Sequence, residues 1–151
     1  MINIALYQPD IPQNTAAIMR LGACLNIKIH IIEPCGFKLD DSRFKRVLMD
    51  YNKILQVYRY EDFEMFEKKN KKSRIVLMTT KAKKLYHKFK FKSEDMLLFG
   101  RESSGVPDAI QKKVENKLKI PMKNRARSLN VAMSAAIIGA EAIKQTNNFN
   151  E

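Results

Sequence analysis

Along this chain, short runs of β-branched and aromatic residues alternate with stretches patterned for helices, and that alternation leaves few folds open. A strand followed by a helix of roughly ten to fifteen residues has to cross over before the next strand, which gives parallel pairing with helices covering the sheet. The sequence predicts strands at Asn3–Leu6, Lys28–Ile32, Gln56–Tyr60, Arg74–Thr79, Met96–Phe99 and Lys117–Ile120. It predicts helices at about Asn14–Leu25, Asp41–Met49, Asp62–Lys69, Pro107–Val114 and Leu129–Gln145. One α/β domain over residues 1–151 with a mostly parallel sheet accommodates them all, and a chain of this length can bury a core of its own.

Local signals place several helix starts. Asn14 is expected to cap the first helix and Asp62 the third, Pro107 fits a first turn, and Ser128 or Asn130 would cap the last. That last helix, with Val131-Ala132-Met133-Ser134-Ala135-Ala136-Ile137-Ile138-Gly139-Ala140, is apolar nearly all round. It therefore needs cover on more than one side. Small residues at Ala132, Ala136, Gly139 and Ala140 admit a close partner helix, from the same chain or from a second copy.

Several classes are disfavoured. The longest apolar runs fall short of the ~20 residues that a membrane span requires. The segment Met1–Leu6 is apolar and lacks a basic leader, which leads us to expect a cytoplasmic protein with no membrane partner. Cys24 and Cys35 form no CxxC pair and have no histidine cluster nearby, so reduced thiols and no metal site are expected. A formal net charge of +12 and a pI of about 9.8 point to a polyanionic partner.

Three segments place polar residues or glycines where strands end, the usual ligand position in open α/β sheets. The first runs from Tyr7 to Arg20 and contains Pro9, Asp10, Pro12, Asn14 and Arg20. The second, Leu97-Leu98-Phe99-Gly100-Arg101-Glu102-Ser103-Ser104-Gly105-Val106-Pro107, has two glycines that let a ligand approach the backbone, but it is neither GxGxxG nor a Walker loop. The third runs from Leu118 to Asn130 and crowds Lys123, Arg125 and Arg127 into five residues, which suits phosphate contact. His30 sits inside an apolar strand and reads as a core residue, His87 is remote from these loops, and no G-x-S-x-G elbow is present. Chemistry in such a chain rests on positioning more than on a strong acid and base.

Taken together and in this order, the three segments resemble the three motifs of the SPOUT superfamily of methyltransferases. The chain is most similar to the tRNA wobble-position 2'-O-ribose methyltransferases within it. The likeness is carried by Ile4–Thr15, by His30-Ile31-Ile32-Glu33-Pro34-Cys35-Gly36-Phe37, by Asp50-Tyr51 and Thr79-Thr80-Lys81, and by Ile120-Pro121-Met122 with Arg127-Ser128-Leu129-Asn130. It implies a trefoil-knotted α/β domain, an obligate homodimer, and S-adenosyl-L-methionine held in a bent form, with tRNA as substrate. Carried over by position, the cofactor contacts fall on Met78, Gly100, Ile120 and Ser128, and the catalytic positions on Arg20 and the preceding Asn14. The RNA would be held by Lys123, Arg125 and Arg127.

Two places depart from the family pattern. Ala132 and Met133 stand where relatives usually have Ser and Asn, and Arg101-Glu102-Ser103-Ser104 replaces a loop with Pro and a Thr-Arg pair, a change that bears on RNA preference. Methylation of another tRNA or rRNA ribose, a non-catalytic RNA-binding protein, and a flavodoxin-like nucleotide binder are the alternatives.

Overall fold

Seven strands form one sheet in which every pairing is parallel. The computed structural model describes residues 1–40 and 42–146. The strands are β1 (Asn3–Tyr7), β2 (Lys28–Ile32), β3 (Val57–Tyr60), β4 (Ile75–Met78), β5 (Lys84–Leu85), β6 (Met96–Phe99) and β7 (Asn116–Lys119), in the order β3-β2-β1-β6-β4-β7-β5. Five helices, α1 (Pro12–Leu25), α2 (Ser42–Tyr51), α3 (Phe63–Lys69), α4 (Asp108–Lys113) and α5 (Val131–Thr146), and a 3-10 turn at Tyr86–Lys88 connect them. All six expected strands and all five expected helices are present. Among the described residues, only the two-residue β5 and the 3-10 turn have no sequence signal. Asp41, the expected start of the second helix, lies outside the described residues.

A strand covered on both faces reads as an unbroken apolar run rather than as an alternation. The central strands β1 and β6 are buried at every position, whereas edge strand β3 buries only Tyr60. Side chains of β1 and β6 alternate between two cores. Ile4, Leu6, Leu97 and Phe99 meet Ile18 and Met19 of α1, Phe44 of α2 and Ile138 of α5 on one face. Ala5, Tyr7, Met96 and Leu98 meet Phe66 of α3 and Ile110 of α4 on the other.

Helix ends follow the local chemistry with one correction. Asp62 caps α3 by accepting from the Met65 amide at 2.7 Å, and Asn130 caps α5 by accepting from the amides of Ala132 (2.9 Å) and Met133 (3.2 Å). Pro107 immediately precedes α4. Asn14 is not a cap. Helix α1 starts two residues earlier, with Pro12 in its first turn and Ile11 as an N-cap that offers no side-chain hydrogen bond. The orphan amides at that end therefore need another partner. Gly22 lets α1 approach β2, since a Cβ there would meet Ile29 Cδ1 at 2.7 Å and Ile27 O at 2.9 Å.

His30 is a satisfied core residue, as expected. Asn3 donates to the carbonyls of Met1 and Asp95, leaving its Oδ1 to accept from His30 Nε2 (3.3 Å). Nδ1 then accepts from the Tyr60 hydroxyl at 2.8 Å, and Tyr60 in turn accepts from Asn70. Burial, with Lys28 nearby, pulls the His30 pKa down to about 4. Both cysteines are free thiols, and burial pushes Cys35 up to about 11.

Candidate active site

The carboxyl ends of adjacent strands β6, β4 and β7 open into a cleft of about 430 Å³, within the range of small-molecule sites. Its floor is Met78, Phe99, Leu118 and Ile120, and its rim is made by Asn14, the 100–106 loop, Met122 and the Ser128–Ser134 segment. Four expected cofactor contacts (Met78, Gly100, Ile120 and Ser128) and Asn14 thus share one cavity. The cleft offers apolar side chains below and hydroxyl or amide groups of Ser128, Asn130 and Ser134 at its edge.

Gly100 is required by close backbone approach. A Cβ there would fall 2.5 Å from the carbonyl carbon of Gly105 and 2.9 Å from the Val106 nitrogen. The 101–105 loop folds back on itself, with Arg101 and Gly105 exchanging both backbone hydrogen bonds (3.0 and 2.8 Å) and Gly105 at φ +68°.

Two carboxylates fasten this loop to the segment after β1. Asp10 accepts from the Arg101 guanidinium through Nη2 and, at 3.0 Å, through Nε, and from the amide and hydroxyl of Ser103. The Arg101 and Ser103 hydrogen bonds hold the Asp10 pKa down at about 2, and the hydrogen bond to Asp10 raises that of Arg101. Glu102 accepts from the Asp10 amide at 2.7 Å and from the Ile11 amide and Asn14 Nδ2, each at 3.4 Å. Glu102 therefore supplies the negative charge and the acceptor that the start of α1 lacks locally. Asn14 completes the link, accepting from Asn130 Nδ2 at 2.9 Å. One asparagine joins all three motif segments.

The structure adds three points to the sequence reading. Arg101 and Ser103, taken as residues bearing on RNA preference, are held by Asp10 inside the loop clasp. Asp10 and Glu102 were missed as site residues because their partners lie about ninety positions away. Arg20 does not line the cleft. It is exposed on α1, with its guanidinium 5.9 Å from the centroid of the Tyr51 ring.

Lys123, Arg125 and Arg127 also stay outside the cleft, exposed between Met122 and Ser128, which line it. The Ala126 amide donates to the Lys123 carbonyl at 3.1 Å and Arg125 has φ +78°, the pattern of a type II turn. That turn throws the three cations outward beside the cleft.

The family of SpoU rRNA methylases matches residues 1–140. The chain belongs to that family. Among the relatives of this SpoU methylase, the tRNA (cytidine(34)-2'-O)-methyltransferase of Ancylobacter novellus is 41% identical over 97% of this chain and 94% of its own length. That of Beijerinckia indica is 44% identical over 94% of this chain and 90% of its own. A solved structure described as giving insight into 2'-OH methylation of C/U34 on tRNA superposes with a TM-score of 0.90 at 33% identity, covering 96% of this chain and 95% of that one. The seven-stranded parallel α/β sheet and these matches agree with the methyltransferase fold class expected from the motifs.

Proposed function

We propose that this SpoU methylase transfers a methyl group from S-adenosyl-L-methionine to the ribose 2'-oxygen of the wobble cytidine or uridine in tRNA anticodon loops. The observation that carries the reading is end-to-end similarity to relatives named for that reaction, in a chain whose three motif loops converge on one cleft. The whole of residues 1–151 serves as one methyltransferase domain, with the trefoil threading that goes with the family, acting in the cytoplasm where tRNA is modified. Among the described residues no helix is long and apolar enough to cross a membrane.

The cleft's chemistry fits the cofactor. Met78, Leu118 and Ile120 provide apolar walls suited to a purine, Gly100 brings backbone close to the ligand, and Ser128 provides a hydroxyl at the rim. Bound there, S-adenosyl-L-methionine would supply an electrophilic methyl group on its sulfonium. The chain's own contribution is orientation, which is worth several kcal/mol when reacting atoms are held in line. Glu102, Asp10 and Asn14 fix the rim. No histidine lines the cleft, and the acidic Glu102 is already engaged with backbone amides. Arginine stays protonated, so Arg20 acts by stabilising the developing oxyanion or the adjacent phosphate rather than as a base.

Arg20 reaches such a substrate in a homodimer. Met133 and Ile137 of α5 are 63% and 38% exposed, and α1, against which α5 packs, leaves Ala17 and Arg20 exposed as well. A second copy covers this exposed surface and sets Arg20 beside the RNA held by Lys123, Arg125 and Arg127.

The test is incubation of purified protein with labelled S-adenosyl-L-methionine and tRNA lacking wobble ribose methylation, followed by nucleoside mapping. Label at the wobble 2'-oxygen, lost in Arg20→Ala, is expected. Label at another nucleotide replaces the substrate, and cofactor binding without any transfer overturns the reaction.

A further inference from the structure

Between β4 and β6 the chain runs Lys81-Ala82-Lys83-Lys84-Leu85-Tyr86-His87-Lys88-Phe89-Lys90-Phe91-Lys92, with six lysines and no carboxylate in twelve residues. All six lysines are exposed, while Ala82, Phe89 and Phe91 are buried. From Lys88 to Lys92 the alternation is strict, cation out and aromatic in, which spaces the outward lysines roughly 6–7 Å apart as in an extended chain.

This strap is anchored, not loose. Phe89 and Phe91 pack edge to face at 5.0 Å, Arg74 lies 4.7 Å over the Phe89 ring, and Gln145 of α5 bonds the Phe91 amide (2.9 Å) and the Phe89 carbonyl (3.2 Å). Lys84 lies 4.9 Å over the Phe89 ring, and the rest of the charge is left open. Among the described residues only Lys81 has a carboxylate partner, Asp108 at 3.8 Å, and both are exposed. Glu94 and Asp95, which follow the strap, are taken by the N-terminal amine and by Arg74.

The strap also has a direction. Lys81 lines the cleft, β5 pairs with β7 on the sheet edge, and the chain then passes along the end of α5 to the opposite side of the sheet, where Asp95 meets Asn3. A polyanion whose reacting nucleotide lies in the cleft would follow this line outward.

We propose that the Lys81–Lys92 strap is a second RNA contact, one that grips the phosphate backbone of the substrate beyond the nucleotide being modified. This rests on the reading of tRNA as substrate. RNA is favoured over an anionic lipid surface because the row of lysines begins in the cleft wall and leads away from it.

The experiment compares wild type with K83Q/K88Q/K90Q, whose three lysines make no ion pair among the described residues and lie outside the cleft. Dissociation constants for an unmodified tRNA transcript are measured against salt concentration, and kcat and KM on the same RNA are measured separately. The expected result is a salt slope reduced by about 2–3, on the order of one per lost phosphate contact, and a KM raised roughly tenfold at unchanged kcat. K83R/K88R/K90R should restore wild-type affinity, which separates charge from folding. An unchanged slope and KM overturn the proposal, as does a glutamine variant that loses binding to phosphatidylserine vesicles but keeps tRNA. Wild type that binds tRNA with a steep slope yet labels no wobble nucleotide sinks the functional reading, while the strap is still decided by the binding data alone.

Discussion

The Asn3–His30–Tyr60–Asn70 chain and the clasp of Asp10 on Arg101 and Ser103 are both polar networks that hold elements together across the sequence, yet one is neutral and buried and the other ionic and at the rim. His30 is 4% exposed, and each group in its chain has one donor matched to one acceptor, so no net charge is taken out of water. Asp10 and Arg101 keep 19% and 32% of their side chains exposed, so water screens their attraction. The core network couples folding to pH. The rim network shapes a loop, and what it governs is the geometry of the cleft.

The largest effect should come from breaking the rim at its backbone. Gly100→Ala puts a methyl group into the Gly105 carbonyl carbon, which cannot retreat as a side-chain end could. We expect methyl transfer to fall on the order of a hundredfold, as displacements of about 1 Å do in positioned reactions. Calorimetry should show cofactor binding weakened along with it. Wild-type turnover in this variant would show that the loop's tight return is irrelevant to the site.

Acid should find the core network next. The His30 pKa is lowered to about 4 from the ordinary 6.5, so the unfolded chain binds this proton more readily than the folded one. The stabilisation is complete above pH 6.5 and is lost as pH falls from 6.5 toward 4, by about 3 kcal/mol from this one group. Urea unfolding at pH 7 and pH 4.5 measures it, and His30→Gln should flatten that difference whatever its effect at neutral pH. A wild-type slope retained in His30→Gln would assign the acid sensitivity to other groups.

How legible these two networks are in the sequence differs for a physical reason. His30 announces itself by lying between Ile29 and Ile31 in a strand that pairs on both sides, where any polar side chain must be satisfied. The strands are readable in the same way, since β1 and β6 are apolar at nearly every position because helices cover both faces. Strand β5 is invisible because two residues between lysines carry no periodicity. The clasp is invisible because Asp10 and Arg101 are 91 positions apart, and nothing local marks them as partners. The local reading of Asn14 as a cap fails. Its side chain resembles a cap, but Pro12 draws the start of α1 forward, Glu102 accepts from the amides of Asp10 and Ile11 at that end, and Asn14 becomes the junction between segments.

A milder disturbance of the rim is Asp10→Asn, which keeps the shape but removes the charge. Cofactor affinity should drop roughly tenfold with little change in the unfolding midpoint, because a rim pair adds little to global stability. The Asp10 carboxyl is held at about 2, so its contribution is fully present above the usual carboxylate range and lost only as pH falls through that value. Cofactor affinity of the wild type should therefore stay flat between pH 8 and 5, whereas the core is loosened once pH falls below 6.5. A parallel decline of both over that range would merge the two networks into one.

The smallest expected effect separates cations that look alike in sequence. Arg101 is engaged by Asp10, whereas Lys123, Arg125 and Arg127 form no ion pair among the described residues. Arg125→Gly removes a charge at a position where φ is +78° and glycine is the residue a type II turn prefers, so the turn survives unchanged. Affinity for tRNA should fall a few-fold with a salt slope lower by about one, and cofactor affinity should not move. Arg101→Gln should give the reverse, weakening the cofactor and leaving the salt slope as it was. If both variants change the same quantity, the division of the rim into an ionic clasp and an open basic turn has no functional meaning, and the RNA lies across the clasp as well.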